Sequence, residues 1–271
     1  VTVDFNQQVI EEFRANRGRV GGYFAGARLI LLTTTGARTG ARHTVPLGYL
    51  PDAGERIIVI GSAGGGRRHP AWFRNLVANP RVSVEDGMRT YEAEAEVLTG
   101  AERDEVFARA VEADRGWADY EEKSGRVLPV VALAPVEHVP PQASSPGEGL
   151  RLIHDAFRRE LGIIREEFAK AGPGLGVQLR INCLNVCQGL EYHHKMEDGG
   201  LFPALGERYP ELESTLERLR AEHETVAALV AELQQAVTAG TGGRAEVDRL
   251  IEELEAHLTY EEEQLVPLLT G

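Results

Sequence analysis

One five-residue pattern occurs twice in the last third of this 271-residue chain. His193, Glu197, Leu201, Pro203 and Leu205 return at identical spacing as His257, Glu261, Leu265, Pro267 and Leu269. On a helix a residue four positions on lies one turn along and on the same face, so each His and its Glu point the same way. A single His-x-x-x-Glu carries little, because an i,i+4 pair is usually a surface hydrogen bond or ion pair. Two copies pointing into one bundle supply what a carboxylate-bridged metal pair requires: imidazoles as terminal ligands and carboxylates that span two ions.

The surrounding sequence supplies the helices. Apolar spacing predicts them over 150–170, 179–198, 212–239 and 245–269, with Gly- or Pro-containing connections between, the first of these at Ala171-Gly172-Pro173-Gly174. Four helices with short links give an up-down bundle. His154, His193, His223 and His257 fall one per helix. Four imidazoles with Glu197 and Glu261 as bridges suit two iron ions, since imidazole and carboxylate favour iron or manganese over a thiolate metal, with zinc the rival. His194 is open between a ligand and an exposed side chain.

A second domain precedes the bundle. Residues 135–149 (PVEHVPPQASSPGEG) have linker composition, which separates a domain at 1–136 from a linker at 137–149 and the bundle at 150–271. Upstream, strands are expected at 29–35, 43–50, 56–61, 81–85, 89–98 and 127–133, with helices over 4–17, 70–78 and 101–113. Asp86-Gly87 reads as a two-residue hairpin turn, and Thr99 with Glu102 as a capping box. Mostly antiparallel connections indicate a small barrel-like sheet.

Charge is uneven. The whole chain carries −13, yet residues 14–74 hold ten Arg against two acids, Asp52 and Glu55. Lysine blocks and interleaved aromatics are missing, so a small anionic ligand fits this stretch better than nucleic acid. The positive charge gathers in two glycine-rich loops, Gly36–His43 and Ser62–Arg68. Such turns expose backbone N–H groups, and arginine adds bidentate phosphate recognition. Neither loop matches a dinucleotide or P-loop fingerprint. No apolar run reaches the ~20 residues of a membrane span, and acids interrupt the N-terminus before any signal-like segment. The two cysteines, Cys183 and Cys187, suit a reducing cytoplasm and read as small packing residues.

The stretches LIHDAF, HHKMEDGGLFPAL, RAEHETV and HLTYEEEQLVPLL resemble the hemerythrin-like, HHE cation-binding family across residues 150–271. That resemblance implies a non-haem di-iron centre on His154, His193, Glu197, His223, His257 and Glu261. Oxygen-carrying hemerythrins place two histidines four apart on the third helix, and here the partner of His223 is Ala227. Fewer protein ligands point away from reversible O2 storage and towards oxygen chemistry or sensing.

The order of LILLTTTGARTGARHTVPLGYL, VIGSAGGGRRHPAWFRNL and GWADYEEKSGRVLPV resembles the deazaflavin-dependent nitroreductase family. The resemblance implies a split β-barrel binding the deazaflavin coenzyme F-420, with FMN the alternative, and hydride transfer to a quinone, nitroaromatic or conjugated carbonyl. By motif, Arg38 and Arg42 hold the anionic tail, Ser62 and the Gly64, Gly65 and Gly66 backbone surround the phosphate or ring, and Trp72 packs at the pocket. Trp117 and Tyr120 line the substrate side, Tyr120 being the candidate proton donor. Trp117 and Lys123 stand where relatives carry Tyr, and Ala63 where some carry Lys. Barrels of this family are often dimeric, so a homodimer is compatible.

The combined expectation is a two-cofactor oxidoreductase acting on a small molecule and O2. The alternatives are a bundle that senses O2, nitric oxide or iron and adjusts a reductase, or a barrel that only binds.

Overall fold

A computed structural model describes residues 5–170, 176–239 and 244–269, so the connection at 171–174 lies outside the described residues. The chain divides into two compact units, Val1–Gln142 with Gly176–Gln178, and Ala143–Leu175 with Leu179–Gly271.

In the first unit six strands close an antiparallel barrel in the order β1-β2-β3-β6-β5-β4. They are β1 (Leu29–Thr35), β2 (Arg42–Pro51), β3 (Ile57–Ile60), β4 (Arg81–Glu85), β5 (Thr90–Val97) and β6 (Val130–Pro135), with helices α1 (Phe5–Ala15), α2 (Ala71–Ala78), α3 (Gly100–Ala113) and α4 (Gly116–Ser124). Strand periodicity sorts the apolar side chains. Ile30, Leu32, Val59, Tyr91, Ala93 and Ala95 fill one core cluster. Leu29 and Leu31 point the other way and pack with Ile10 and Phe13 of α1, which is why β1 is an unbroken apolar run. Ile58 and Ile60 likewise meet Val106, Phe107 and Ala110 of α3.

β2 pairs with β1 along Arg42–Gly48 but with β3 only at Tyr49–Pro51. The first seven residues of β2 therefore lack a second ladder, and this split faces the chain leaving β3. The register also puts the β1–β2 loop and the loop after β3 at the same barrel end.

Three local expectations are corrected. The strands around Asp86 stop at Glu85 and restart at Thr90, leaving four residues in the turn; Asp86 Oδ1 accepts the N–H groups of Met88 and Arg89, each at 2.9 Å. Thr99 makes no side-chain cap, and Glu102 accepts from Arg56 at 3.2 Å in place of a capping box. α4 was not expected as a helix at all.

In the second unit α5 (Pro146–Lys170), α6 (Val177–Met196), α8 (Glu213–Ala239) and α9 (Arg244–Leu269) form the hemerythrin-type bundle, with a short α7 (Phe202–Arg208) between. α5 begins before the expected Leu150 because Ser144, Ser145 and Glu148 cap it together: Ser145 Oγ accepts the Glu148 N–H, and Glu148 Oε2 accepts the Ser144 N–H at 2.6 Å. Pro146 stands at its permissive first position.

Two apolar layers build the bundle. One contains Leu161, Cys183, Cys187, Leu190, Val226 and Leu258; the other contains Leu150, Phe202, Leu205, Leu216, Leu219 and Leu265. Along α5 and α8 the chain runs from the second layer to the first, and along α6 and α9 from the first to the second. That is up-down-up-down order. Along the chain, His154, His193, Glu197, His223 and Glu261 fall between the two layers, and His257 stands beside Leu258 at the edge of the first.

Candidate functional site

The duplicated motif does not build the same backbone twice. Glu261 lies inside an uninterrupted α9, which carries Pro267 in its last turn. Glu197 opens a π-helical turn, Glu197–Leu201, whose Gly199-Gly200 precede the fresh helix α7. π-turns recur at functional sites because they re-aim one side chain without ending the helix. The two glutamates nonetheless meet in one layer of the bundle.

Seven side chains converge there. His154, His193, Glu197 and Glu261 form one group, and His194, His223 and His257 form a second, each with its ligand atoms within 4.8 Å of one another. All seven are buried. The carboxylates face both groups. Glu197 Oε1 lies 3.3 Å from His193 Nε2, and its Oε2 lies 3.8 Å from His223 Nε2. Glu261 Oε2 stands 3.6 Å from His154 Nε2 and 3.8 Å from His257 Nε2. This is the disposition of two bridging carboxylates between two imidazole sets.

His194 is the residue left open by sequence. At 6% exposure it is not a surface histidine. Neighbouring residues on a helix point about 100° apart, so His193 addresses His154 while His194 stacks on His223 at 4.2 Å and meets His257 at 5.1 Å. The cluster therefore has five imidazoles, two of them from α6, while position 227 on α8 carries only a methyl group.

Carboxylates outside the cluster orient the rings. His154 Nδ1 meets Glu262 at 2.9 Å, His223 Nδ1 meets Asp198 at 2.9 Å, and His257 Nδ1 meets Glu222 at 3.2 Å. Each contact puts the ring proton on Nδ1 and leaves the Nε2 lone pair directed inward, the arrangement of carboxylate-supported metal histidines. The sequence held a signal for two of these: an acid directly follows each repeated glutamate, in Glu197-Asp198 and Glu261-Glu262.

The chemistry of the inner atoms tests whether a metal fits. Nε2 of His194, His223 and His257 and all four oxygens of Glu197 and Glu261 are buried without a hydrogen-bond partner among the described residues. Leaving one buried polar group unsatisfied costs about 1–3 kcal/mol, so seven in one place are difficult to account for without cations. Burial, reinforced by the neighbouring imidazoles, pushes His193 down to about 3 and His194 down to about 2. Burial likewise takes His257 down to about 4 and lowers His223. Burial raises Glu197 and Glu261 well above the usual carboxylate range, and repulsion by Glu261 adds to the rise at Glu197. Neutral imidazoles with carboxylates that need positive charge are a metal donor set.

In the barrel, Arg38 lies exposed on the β1–β2 loop and Arg42 exposed at the first position of β2, and Arg67 and Arg68 are exposed after β3. None of the four has an ion-pair partner among the described residues. The first loop is held by buried Asn75 of α2: its Oδ1 accepts the Ala37 N–H at 3.1 Å, and its Nδ2 donates to Thr34 Oγ1 at 3.1 Å. Unpaired guanidinium groups on a fixed loop suit an anionic tail.

The second loop is held by Arg126, which sequence reading did not single out. Its guanidinium donates to Gly61 O at 2.8 Å, Ser62 O at 3.0 Å and Gly66 O at 3.0 Å. Lys123 Nζ donates to Gly64 O at 3.2 Å, and a Cβ on Gly65 would meet Lys123 Cδ at 2.7 Å. α4 thus packs directly on the glycine loop and brings Trp117 and Tyr120, whose rings lie 6.3 Å apart edge to face, into its neighbourhood. Hydrogen bonding to the Tyr23 phenol raises Tyr120.

Two expectations for this loop change. The N–H groups of Gly65 and Gly66 close the loop on Ser62 O and Ala63 O, so they are not free for a phosphate. Trp72 is 6% exposed and sits in the barrel core with Leu76 and Val82, which makes it a packing residue rather than a pocket wall.

A split barrel with basic, braced loops, followed by a bundle enclosing a His/Glu cluster, defines a cofactor-binding and metal-binding protein in one chain. Residues 6–135 match the family F420H(2)-dependent quinone reductase, and residues 145–269 match the hemerythrin HHE cation binding domain. F420H(2)-dependent quinone reductases of two Mycobacterium tuberculosis strains, CDC 1551 and H37Rv, are each 34% identical over 128 residues, covering 45% of this chain and 83% of the relative. Among solved structures, an F420-H2 dependent reductase is 38% identical and covers 39% of this chain and 93% of its own, with a TM-score of 0.36. Another, described as a domain-swapped dimer, is 35% identical and covers 46% of this chain and 92% of its own, with a TM-score of 0.38. The chain belongs to the F420H(2)-dependent quinone reductase family through its barrel and carries a hemerythrin HHE domain in its bundle. Among the described residues no helix is long and apolar enough to cross a membrane.

Proposed function

We propose that this chain is a two-cofactor oxidoreductase whose barrel reduces a quinone-class acceptor with a reduced deazaflavin and whose bundle holds two iron ions for oxygen chemistry. The observation that carries the reading is the set of seven unpartnered inward atoms between two apolar layers, in a chain that also belongs to a deazaflavin reductase family.

In the barrel, Arg38 and Arg42 would pair with the anionic tail, and the loop braced by Arg126, with Ser62 and Gly64 at its outer turn, would receive the ring. Trp117 gives the acceptor an apolar wall. Tyr120 holds a proton for the acceptor oxygen, and its elevated pKa keeps that proton in place until transfer. In the bundle, His154, His193, Glu197 and Glu261 would hold one ion and His194, His223 and His257 would hold the other, with the two glutamates available to both. Glu262, Asp198 and Glu222 keep the Nδ1 protons where they are, so the Nε2 atoms remain ligands. When bound, the deazaflavin supplies a hydride and the iron pair one-electron chemistry toward dioxygen, so a small-molecule product rather than an electron passes between the sites.

Anaerobic mixing of reduced deazaflavin with the iron-loaded, oxidised protein tests this. The account expects the iron bands to persist until a quinone is added, and the deazaflavin to oxidise only then. Bleaching of the iron bands without quinone would refute transfer by product, and no deazaflavin oxidation with quinone would refute the reductase reading.

A further inference from the structure

A cleft of about 600 Å³ opens between α6 and α8, and the functional reading above leaves it unused. Two members of the histidine cluster, His194 and His223, form its inner wall, and Ala227, Val230, Ala231 and Gln234 line the rest of the α8 side. The volume falls in the range of organic-ligand sites. A diatomic gas or a water, whose share of liquid is ~30 Å³, needs only a small part of it.

The residue that keeps the cleft open is Ala227. It stands one turn beyond His223 on the same face of α8, so a methyl group occupies the position from which a longer side chain would cover the His223 ring. The wall beside it is functional rather than inert: His194 is 6% exposed and its Nε2 lacks a hydrogen-bond partner among the described residues.

The charges at the mouth select the ligand. Three carboxylates, Glu191, Asp198 and Glu224, stand against two cations, Lys195 and Arg220. Lys195 is held by Glu191 at 2.6 Å, and Asp198 is held by the His223 ring at 2.9 Å. Arg220 lies over the Phe202 ring at 5.8 Å. The remaining net charge is not positive, which disfavours an anion. Glu224 and Gln234 offer acceptors to a hydroxyl donor, while Ala227, Val230 and Ala231 offer a flat apolar surface.

We propose that this cleft is an organic-substrate site beside the metal cluster and that its ligand is a neutral phenol or hydroquinone. The ring lies along the Ala227–Ala231 stripe, and a hydroxyl group donates to Glu224 or Gln234. The inference rests on the proposed metal reading for what the site does, but ligand binding tests it separately. The barrel reaction proposed above yields a compound of this class.

Titration calorimetry of the full iron-loaded chain with 1-naphthol, a ligand of this class, decides the matter. Wild-type protein is expected to show a binding step that weakens by about tenfold or more in Ala227→Phe, and similarly in Ala231→Leu should the first variant fold poorly. Both positions are exposed on α8. Any naphthol bound by the barrel contributes equally to wild type and variants, so the difference alone counts. An unchanged isotherm in both variants would overturn the proposal. So would preferential binding of naphthalene-1-carboxylate that is lost in Arg220→Ala, which would mark an anion site. Iron per chain, read by mass spectrometry on the same samples, separates the two readings: absence of iron would remove the metal assignment, while naphthol binding would still decide the cleft.

Discussion

Arg126→Ala is the perturbation that most directly probes how the barrel holds its cofactor loop. One guanidinium satisfies three carbonyl oxygens, on Gly61, Ser62 and Gly66, and donates a fourth bond to His69 Nδ1 at 3.0 Å. A hydrogen bond from a charged donor contributes about 1.5–3 kcal/mol. Gly61 is buried, so its carbonyl loses most when the donor goes, whereas Ser62, Gly66 and Arg126 itself are half-buried and water replaces part of their loss. The expected cost is about 2–4 kcal/mol of barrel stability. Both tryptophans, Trp72 and Trp117, lie in the barrel, so tryptophan fluorescence in a urea titration follows this unit without interference from the bundle. Because the loop also loses its shape, deazaflavin affinity is expected to fall by about tenfold or more, with Arg126→Lys intermediate. A variant within 0.5 kcal/mol of wild type and with unchanged deazaflavin affinity would refute the bracing role.

Other outcomes follow from the bundle. Glu262→Gln removes the carboxylate on His154 Nδ1, and metal affinity is expected to drop about 10–100-fold by competition with a chelator, with the helical content by circular dichroism unchanged. His194→Ala is expected to halve the iron retained per chain after dialysis; full retention would show that His194 is not a ligand. Stability of the metal-stripped protein is expected to peak near pH 6.5. The lowered His257, His193 and His194 contribute stability above their unfolded value of 6.5 that is lost as pH falls from there through about 4, 3 and 2 respectively. The raised Glu197 and Glu261 contribute stability below their unfolded value of 4.5 that is lost as pH rises above it, at about 1.4 kcal/mol per pH unit for each retained proton. Thermal unfolding across pH 4–9 checks both slopes, and iron loading is expected to flatten the alkaline one. Glu197→Ala is expected to leave barrel turnover unchanged in air, argon and nitric oxide; a gas-dependent change in the wild type that disappears in this variant would favour the sensor reading.

The fold was legible wherever burial left a period in the sequence. β1, β4 and β5 carry strand alternation or an apolar run, and the four long helices carry an apolar stripe around their inward histidines, one each on α5, α8 and α9 and two on α6. α4 was missed because Gly116–Ser124 (GWADYEEKS) has only two large aromatic side chains, Trp117 and Tyr120, and no repeating stripe. It braces the glycine loop through Lys123 and adds to a core cluster only the partly buried Trp117 and Tyr120. The capping box at Thr99 failed for a tertiary reason: Arg56, distant in sequence, takes the Glu102 carboxylate. In the metal cluster the motif revealed the i,i+4 pairs but not His194, because a spacing rule looks along one helix face and His194 lies on the adjoining one. The orienting acids Asp198 and Glu262 directly follow the repeated glutamates but support rings on other helices, so the repeat marks their positions without assigning the ring each one holds. Trp72 was expected at the pocket by motif resemblance, and a motif gives its place in the chain but not which way the ring turns; here it packs in the core with Leu76 and Val82.

The central claim is that the duplicated His-x-x-x-Glu motif is a two-iron site within a deazaflavin reductase chain. Its most direct test is the iron content and visible spectrum of the full chain purified with iron and deazaflavin present. The account predicts two iron ions per chain, a visible band that changes on reduction and returns with O2, and loss of both in the double variant Glu197→Ala/Glu261→Ala. Zinc in place of iron, or iron binding that survives in that double variant, would contradict it.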